Sequence, residues 1–162
     1  MENKIRVIAK AQNQTALGII NAYLLLNPHS TLQDLKERFP NDVAPDKGVA
    51  ELFVSETEAN AINTRAGTSL YFAKAHQIIQ IENGERIALS QIWTKDSLKN
   101  LINRIDNTGI QVKMVDSDEA KKEDIKGFKL EFLNGFDPSQ KELKKGFLSS
   151  LIRIIKSVFG KR

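Results

Sequence analysis

The first part of the chain alternates between apolar stretches and short polar breaks in a way that predicts two consecutive helices. Residues 15–26 are strongly apolar with a helical periodicity, and Asn27-Pro28 ends that helix. The next helix begins at Ser30 or Thr31, where Ser30-x-x-Gln33 has the form of a capping box. Two helices joined by a short polar turn are the loosest form of a helix-turn-helix pattern.

Further helices follow from capping signals and apolar spacing. Ser55-x-x-Glu58 opens a short helix that Gly67 closes. Thr94 caps another helix, for which we expect Gly109 to be the terminating residue. Its apolar positions follow the i, i+3, i+4, i+7 spacing of one buried face: Leu98, Leu101, Ile102 and Ile105.

Alternating apolar and polar residues predict strands between these helices. The clearest signal is a β-hairpin in which residues 78–81 and 86–93 flank an Asn83-Gly84 turn. Residues 4–10 form a strand candidate whose alternation is broken by Ile8. Shorter strand predictions fall at residues 52–54, 69–73, 110–115 and 128–132, and the highly charged residues 116–126 are predicted to be a solvated loop.

These elements predict an α+β fold. The predicted order is an N-terminal helical pair, a small antiparallel sheet with a β-hairpin, and a C-terminal amphipathic helix. We expect residues 1–136 to form one domain and residues 137–162 to form the basic amphipathic helix. The aromatic residues Tyr71, Phe72 and Trp93 are predicted to belong to the core.

Charge divides the chain into two unequal parts. The 162 residues carry a net charge of +4. Residues 1–137 (the body) hold 17 basic and 19 acidic residues, whereas residues 138–162 (the tail) hold seven basic residues and one acid. Any attraction to a polyanion that the overall charge suggests is therefore predicted to belong to the tail.

Composition excludes several kinds of chemistry. The chain contains no cysteine, which excludes disulfides, thiolate metal sites and a thiol nucleophile. Its two histidines, His29 and His76, are expected to lie in a turn and at a strand edge or loop. No phosphate-binding glycine loop and no nucleophile elbow occur. We therefore expect a non-enzymatic protein without a metal or cofactor, and a cytoplasmic one, since neither a signal peptide nor an apolar membrane span is visible.

A metal-dependent nuclease is the enzymatic alternative. Such enzymes combine an acid with a Glu-x-Lys pair, because carboxylates hold Mg²⁺ and the lysine supports the attacking water. Asp46 and Glu119-x-Lys121 match these letters. Their predicted position in loops favours a solvated surface instead.

The predicted helix-turn-helix suggests a nucleic-acid surface. A recognition helix enters the major groove, where glutamine can read adenine and basic residues can contact phosphate. The candidate residues on the body are Gln33, Lys36, Arg38 and, in the hairpin, Arg86. Acidic neighbours on the same elements, such as Asp34, favour a surface of mixed charge as the competing interpretation.

The tail carries the strongest single signal. Its apolar residues fall within an arc of roughly 160° when placed on a helix. Three interpretations are open: an ordinary terminal helix docked on the core, a helix that binds a partner protein or a second copy, and a helix lying in an anionic membrane surface. The interaction residues are Phe147, Leu148, Leu151, Ile152, Ile155 and Phe159, and the basic residues preceding them are Lys141, Lys144 and Lys145.

Residues from about 15 to 115 resemble a small winged-helix-like module that accompanies bacterial restriction and defence proteins of the McrB-like kind. The resemblance rests on Asn27-Pro28-His29-Ser30-Thr31-Leu32, Leu35, Phe39-Pro40, Tyr71-Phe72, Ile78-Ile79, Gly84, Ile87-Ala88-Leu89-Ser90-Gln91, Trp93, Leu98 and Leu101-Ile102. It implies a winged-helix-like fold and contact with nucleic acid or a partner protein, without catalysis. The tail lies outside it.

The leading hypothesis from the sequence is a nucleic-acid-associated adaptor in a bacterial defence or regulatory system. In that hypothesis Lys36, Arg38 and Arg86 contact phosphate and the tail adds affinity. The alternative is an interaction protein that attaches to a membrane surface or a partner through its C-terminal helix.

Overall fold

A computed structural model describes residues 1–46 and 48–140. Mixed helices and strands confirm the predicted α+β class. In chain order the elements are β1 (Ile5–Ala9), α1 (Gln12–Leu26), α2 (Leu32–Arg38), a 3₁₀ turn (Asn41–Val43), β2 (Phe53–Ser55), α3 (Glu56–Ala66), β3 (Ile79–Gln80), β4 (Arg86–Leu89), α4 (Lys95–Arg104), β5 (Ile110–Met114), α5 (Ser117–Lys122), β6 (Phe128–Phe132) and a 3₁₀ turn (Pro138–Gln140).

Within the described residues the strands form two three-stranded sheets rather than the single small sheet predicted. The first sheet has the order β5-β1-β6, with β1 parallel to β5 and antiparallel to β6. The parallel pair is possible because helices and the whole second sheet separate β1 from β5, since parallel strands need a long crossover connection. Periodicity does not indicate which strands pair, so the sequence could not supply this topology.

The second sheet contains the predicted hairpin. Its order is β2-β4-β3, and both pairs are antiparallel. Gly84 has a φ of 91° in the turn, and its backbone N–H donates to the Ile81 carbonyl at 2.9 Å. The strand predicted at residues 69–73 is reduced to a single bridge between Tyr71 and Ser90.

Helix α1 is buried around its circumference, because every residue from Thr15 to Ile20 is buried. The main core joins α1 to apolar side chains of both sheets, including Val7 and Phe53. A Cβ atom built on Gly18 would lie 2.6 Å from Val7 Cγ1 and 3.1 Å from Phe128 Cβ. This glycine therefore lets the helix backbone approach the first sheet closely.

The strand β1 has apolar contacts on both faces, which explains why Ile8 breaks its alternation. Ile8 packs with Val115 and Ala120 in a small separate cluster. Ala120 belongs to α5, which lies where the sequence predicted only a charged loop. That prediction is wrong because Asp116 accepts a hydrogen bond from the Glu119 N–H at 2.8 Å and so caps a short helix.

The helix boundaries were predicted closely, with two corrections. Thr31 is the N-cap of α2, and Asp34, rather than Gln33, completes its capping box. Helix α4 ends at Arg104, so Gly109 does not terminate it. The Gly109 carbonyl instead accepts hydrogen bonds from the N–H groups of Lys4 and Ile5 at the start of β1.

Tyr71, Phe72 and Trp93 are buried, which confirms them as core aromatics. Tyr71 and Trp93 also use their polar ends: the Tyr71 hydroxyl donates to the Glu51 carbonyl, and Trp93 Nε1 donates to the Ser90 carbonyl. Such partners are what buried tyrosine and tryptophan require.

Candidate interaction surfaces

Two of the predicted nucleic-acid-binding residues of α2, Gln33 and Lys36, lie beside carboxylates of their own chain. Gln33 Nε2 donates to Glu37 Oε1 at 2.9 Å, within the same helix. Lys36 Nζ lies 4.0 Å from Glu51 Oε2, which also accepts a hydrogen bond from Asn41 at 3.0 Å. A neighbouring carboxylate offsets the positive potential that a phosphate would otherwise meet. The Gln33 amide and the Lys36 ammonium group therefore each already lie beside a carboxylate.

Arg38 occupies a different environment at the end of α2. Its guanidinium carbon lies 6.0 Å from the centroid of the Tyr23 ring, and Tyr23 packs edge-on against Phe39. Arg38 is half-buried, and its Nε is a buried side-chain polar atom with no hydrogen-bond partner within the described residues. Arg38 therefore differs from its neighbours, since aromatic packing rather than a carboxylate holds its side chain.

The hairpin residue Arg86 forms a bidentate ion pair with Glu56 at the start of α3. Arg86 Nε and Nη2 donate to the two carboxylate oxygens at 2.9 and 3.0 Å. These hydrogen bonds are the main reason that the pKa of Glu56 is lowered and the pKa of Arg86 is raised. The pair joins α3 to β4, so Arg86 has a structural partner in the position where a phosphate contact was predicted.

The two ion pairs lie at opposite ends of one strand. Glu51 precedes β2 and Glu56 follows it, so the two cations pair with acids at different ends of this strand. Lys36 and Arg86 are therefore each offset by their own carboxylate. The geometry favours the competing interpretation of a surface with mixed, locally neutralised charge.

The outer face of the first sheet carries a polar row that the sequence analysis missed. The register places Arg6 of β1 beside Gln111 of β5 and Glu131 of β6. Arg6 donates to Gln111 at 3.2 Å and to Glu131 at 2.9 Å. Strand alternation put Arg6 on this face, but only the sheet register identifies its partners, which lie more than 100 residues away.

The two histidines lie where they were predicted. His29 is exposed in the turn between α1 and α2, and its Nδ1 lies 2.8 Å from Glu82 Oε2 at the hairpin. His76 is exposed in the loop before β3. Over residues 1–46 and 48–140, no group of three histidine, aspartate or glutamate side chains is placed to hold a metal ion.

The nuclease-like residues do not form a centre. Glu119 lies in the first turn of α5, where its carboxylate pairs with Lys113 Nζ at 2.9 Å and thereby raises the pKa of that lysine. Lys121 lies at the other end of the same short helix. Asp46 is exposed in the loop before β2. The Glu-x-Lys spacing is accounted for by a capped surface helix.

An open groove of about 420 Å³ lies between the Asn41–Val43 turn and α4. It is lined by Asp42, Val43, Asn100, Asn103 and Arg104. Asn100 donates to the Val43 carbonyl at 3.1 Å and so ties the two elements together. The walls are mostly polar, whereas pockets for small ligands usually have apolar walls with a few polar groups.

The remaining predicted interaction residues lie outside the described residues. These are Lys141, Lys144, Lys145, Phe147, Leu148, Leu151, Ile152, Ile155 and Phe159, together with the helix predicted to carry them. The structure describes the chain up to Gln140, through the turn in which the Ser139 N–H donates to Asp137.

Comparison with known proteins gave no relative: no family model, no curated protein and no solved structure matches the chain. The winged-helix resemblance therefore stays a prediction. Among the described residues, none of the helices has the length and apolar character needed to cross a membrane.

Proposed function

We propose that this protein is a non-enzymatic adaptor that attaches to an anionic membrane surface through its tail. The observation that carries the proposal is the pairing of two of the body's three candidate cations with carboxylates: Lys36 lies beside Glu51, and Arg86 forms a bidentate pair with Glu56. Attraction to a polyanion depends on a surplus of accessible basic charge. The sequence offers that surplus in the tail, with seven basic residues and one acid.

Few large apolar side chains are exposed on the described part of the body, which supports a partner for the tail other than the body itself. Met1 and Met114 are the large apolar side chains that are exposed within residues 1–46 and 48–140. Two exposed side chains are few for a surface that would receive the wide apolar arc predicted for the tail. A lipid interface provides both an apolar phase for that arc and anionic headgroups for the flanking lysines.

A second copy of the chain could also cover the apolar arc, but it would not use the basic flank. Two tails would bring like charges together, which costs energy at low salt. Membrane attachment accounts for both the apolar arc and the basic residues of the tail, and we therefore prefer it to self-association.

Flotation of the full-length protein with vesicles tests the proposal. We expect binding to vesicles of mixed phosphatidylserine and phosphatidylcholine, and little binding to phosphatidylcholine alone. The double substitution L151S/I155S should weaken binding on the order of a hundredfold, because it removes two side chains from the lipid interface. The matched control S150A/S157A changes the opposite side of the predicted helix and should bind nearly as the parent does.

Two results would contradict membrane attachment. One is equal recovery of the parent protein with anionic and neutral vesicles, or no recovery with either. The other is a concentration-dependent increase in mass without lipid that L151S/I155S abolishes, which would instead identify a second copy as the partner.

Nucleic-acid association is a second candidate because of Arg38. Its half-buried guanidinium lies beside the Tyr23 ring and forms no ion pair with a carboxylate of the described residues, so its charge is available to a phosphate. In this case binding to duplex DNA should weaken steeply with salt, and R38Q should reduce both the affinity and the salt slope. Unaltered binding by R38Q would remove the body from this candidate.

A further inference from the structure

The chain contains two Asn-Gly steps, and the structure holds them very differently. They are Asn83-Gly84 in the β3–β4 hairpin and Asn134-Gly135 after β6. Asn-Gly is the dipeptide most open to attack of a backbone nitrogen on the preceding side-chain amide, because glycine has no side chain to hinder the approach. All four residues are exposed, so access of water does not distinguish the two steps.

The Asn83-Gly84 step is held by three hydrogen bonds. Asn83 Nδ2 donates to Glu85 Oε1 at 2.6 Å, and Asn83 Oδ1 accepts from the Glu85 N–H at 2.9 Å. The Gly84 N–H donates to the Ile81 carbonyl at 2.9 Å. The side-chain amide is thus fixed at both ends, and the attacking nitrogen would have to leave its acceptor before losing its proton.

The Asn134-Gly135 step has one of these restraints. Asn134 Nδ2 donates to the Asn3 carbonyl at 2.7 Å. Within the described residues, the Gly135 N–H has no hydrogen-bond acceptor. The attacking nitrogen is therefore exposed to water and base.

We propose that Asn134 is a site of spontaneous deamidation in the folded protein and that Asn83 is protected. The Gly135 nitrogen loses its proton to solvent base and bonds to Cγ of Asn134. The bond from Cγ to Nδ2 breaks, and ammonia leaves. Water then opens the resulting five-membered imide at either carbonyl, which gives aspartate or isoaspartate at position 134.

The reaction changes the contact between the two ends of the body. A carboxylate at position 134 cannot donate to the Asn3 carbonyl, so the bond between the N-terminal residues and the turn after β6 is lost. Leu133 N–H also donates to the Lys4 carbonyl at 2.8 Å in the same region. The modified turn lies a few residues before the tail, at the point where the chain leaves the first sheet.

Tryptic mapping of the aged full-length protein tests the proposal, because the two steps fall in separate peptides, residues 75–86 and 130–141. The protein is incubated at mildly alkaline pH in native buffer and, in parallel, in concentrated denaturant. The denatured rates give the intrinsic effect of the neighbouring residues on each step. The ratio of denatured to native rate then measures the protection that folding gives.

We expect the protection at Asn83 to exceed that at Asn134 by at least roughly tenfold, from two additional hydrogen bonds. The product at position 134 should include isoaspartate. Equal protection at the two steps, or greater protection at Asn134, would overturn the proposal. So would an unmodified 130–141 peptide in the native sample when the denatured sample is converted.

Discussion

The body and the tail both carry many basic residues, yet the acids that could neutralise them are concentrated in the body. In the body, acids outnumber bases, and the structure pairs Arg86 with Glu56, Arg6 with Glu131 and Lys113 with Glu119. In the tail, seven basic residues accompany one acid and a predicted apolar face. The net charge of +4 therefore describes neither region, since basic charge is available for a partner only where the chain does not neutralise it.

The body's ion pairs also join elements that are distant in the chain. Glu56 and Arg86 are 30 residues apart, and their pairing fastens α3 onto β4. Exposed pairs of this kind contribute little to stability individually. Burial of apolar side chains around α1 supplies most of the stabilisation, and the ion pairs fix neighbouring elements relative to one another.

The largest expected effect concerns the core of the body. Burial raises the pKa of Tyr71 to about 12, against an ordinary value of 10.0. The folded state therefore holds the phenol proton more tightly than the unfolded state, so this stabilisation is complete below pH 10 and is lost as the pH rises towards 12. The loss amounts to at most about 3 kcal/mol.

Urea unfolding of the parent and of Y71F at several alkaline pH values measures this effect. Y71F should be the less stable protein near neutral pH, because it lacks the hydrogen bond to the Glu51 carbonyl. The difference should shrink or reverse as the pH rises, since only the parent has a phenol to ionise. A constant difference between the two proteins would contradict the assignment.

The next prediction tests whether the stability of the body and vesicle binding by the tail are independent. G18A places a Cβ atom against Val7 and Phe128, and we expect a destabilisation of about 1–2 kcal/mol after the gain in helix propensity is included. The melting temperature should fall while binding to anionic vesicles at room temperature remains as in the parent. A parallel loss of vesicle binding would show that attachment depends on the body.

The smallest effect concerns the Arg86 pair. E56Q should cost less than about 1 kcal/mol at neutral pH, because the pair is partly exposed. Since the pKa of Glu56 is lowered, its contribution is present above the pKa of the unfolded state and disappears as the pH falls through the folded value. This contribution is measured by comparing the acid unfolding midpoints of the parent and E56Q. If the two proteins are equally stable at neutral pH and also at acid pH, the pair has no role in stability.

Local patterns predicted much of this fold, and long-range partners account for what they missed. The Asn83-Gly84 turn and the Thr94 cap are determined by neighbouring residues, and both elements are present. The parallel pairing of β1 with β5 depends on residues 105 positions apart, such as Ile5 and Ile110. Ile8 was an anomaly in the sequence because the covering helix α5 was interpreted as a loop.

The candidate site shows the same division. The sequence identified Lys36 and Arg86 as basic residues, and they are basic residues of the surface. Their carboxylate partners lie 15 and 30 positions away in the chain, so charge patterning along a helix or hairpin could not reveal them. Neutralisation by distant partners is visible only once the strands are placed side by side.

A matched removal of charge from the two regions measures which of them supplies the basic charge for membrane attachment. K36Q/R38Q/R86Q removes three positive charges from the body, and K141Q/K144Q/K145Q removes three from the tail. Partitioning of each full-length variant onto anionic vesicles is measured at one salt concentration, with melting temperatures to verify folding. Attachment through the tail predicts that partitioning falls roughly a hundredfold for the tail variant and about twofold or less for the body variant. Equal losses, or a larger loss for the body variant, would contradict it.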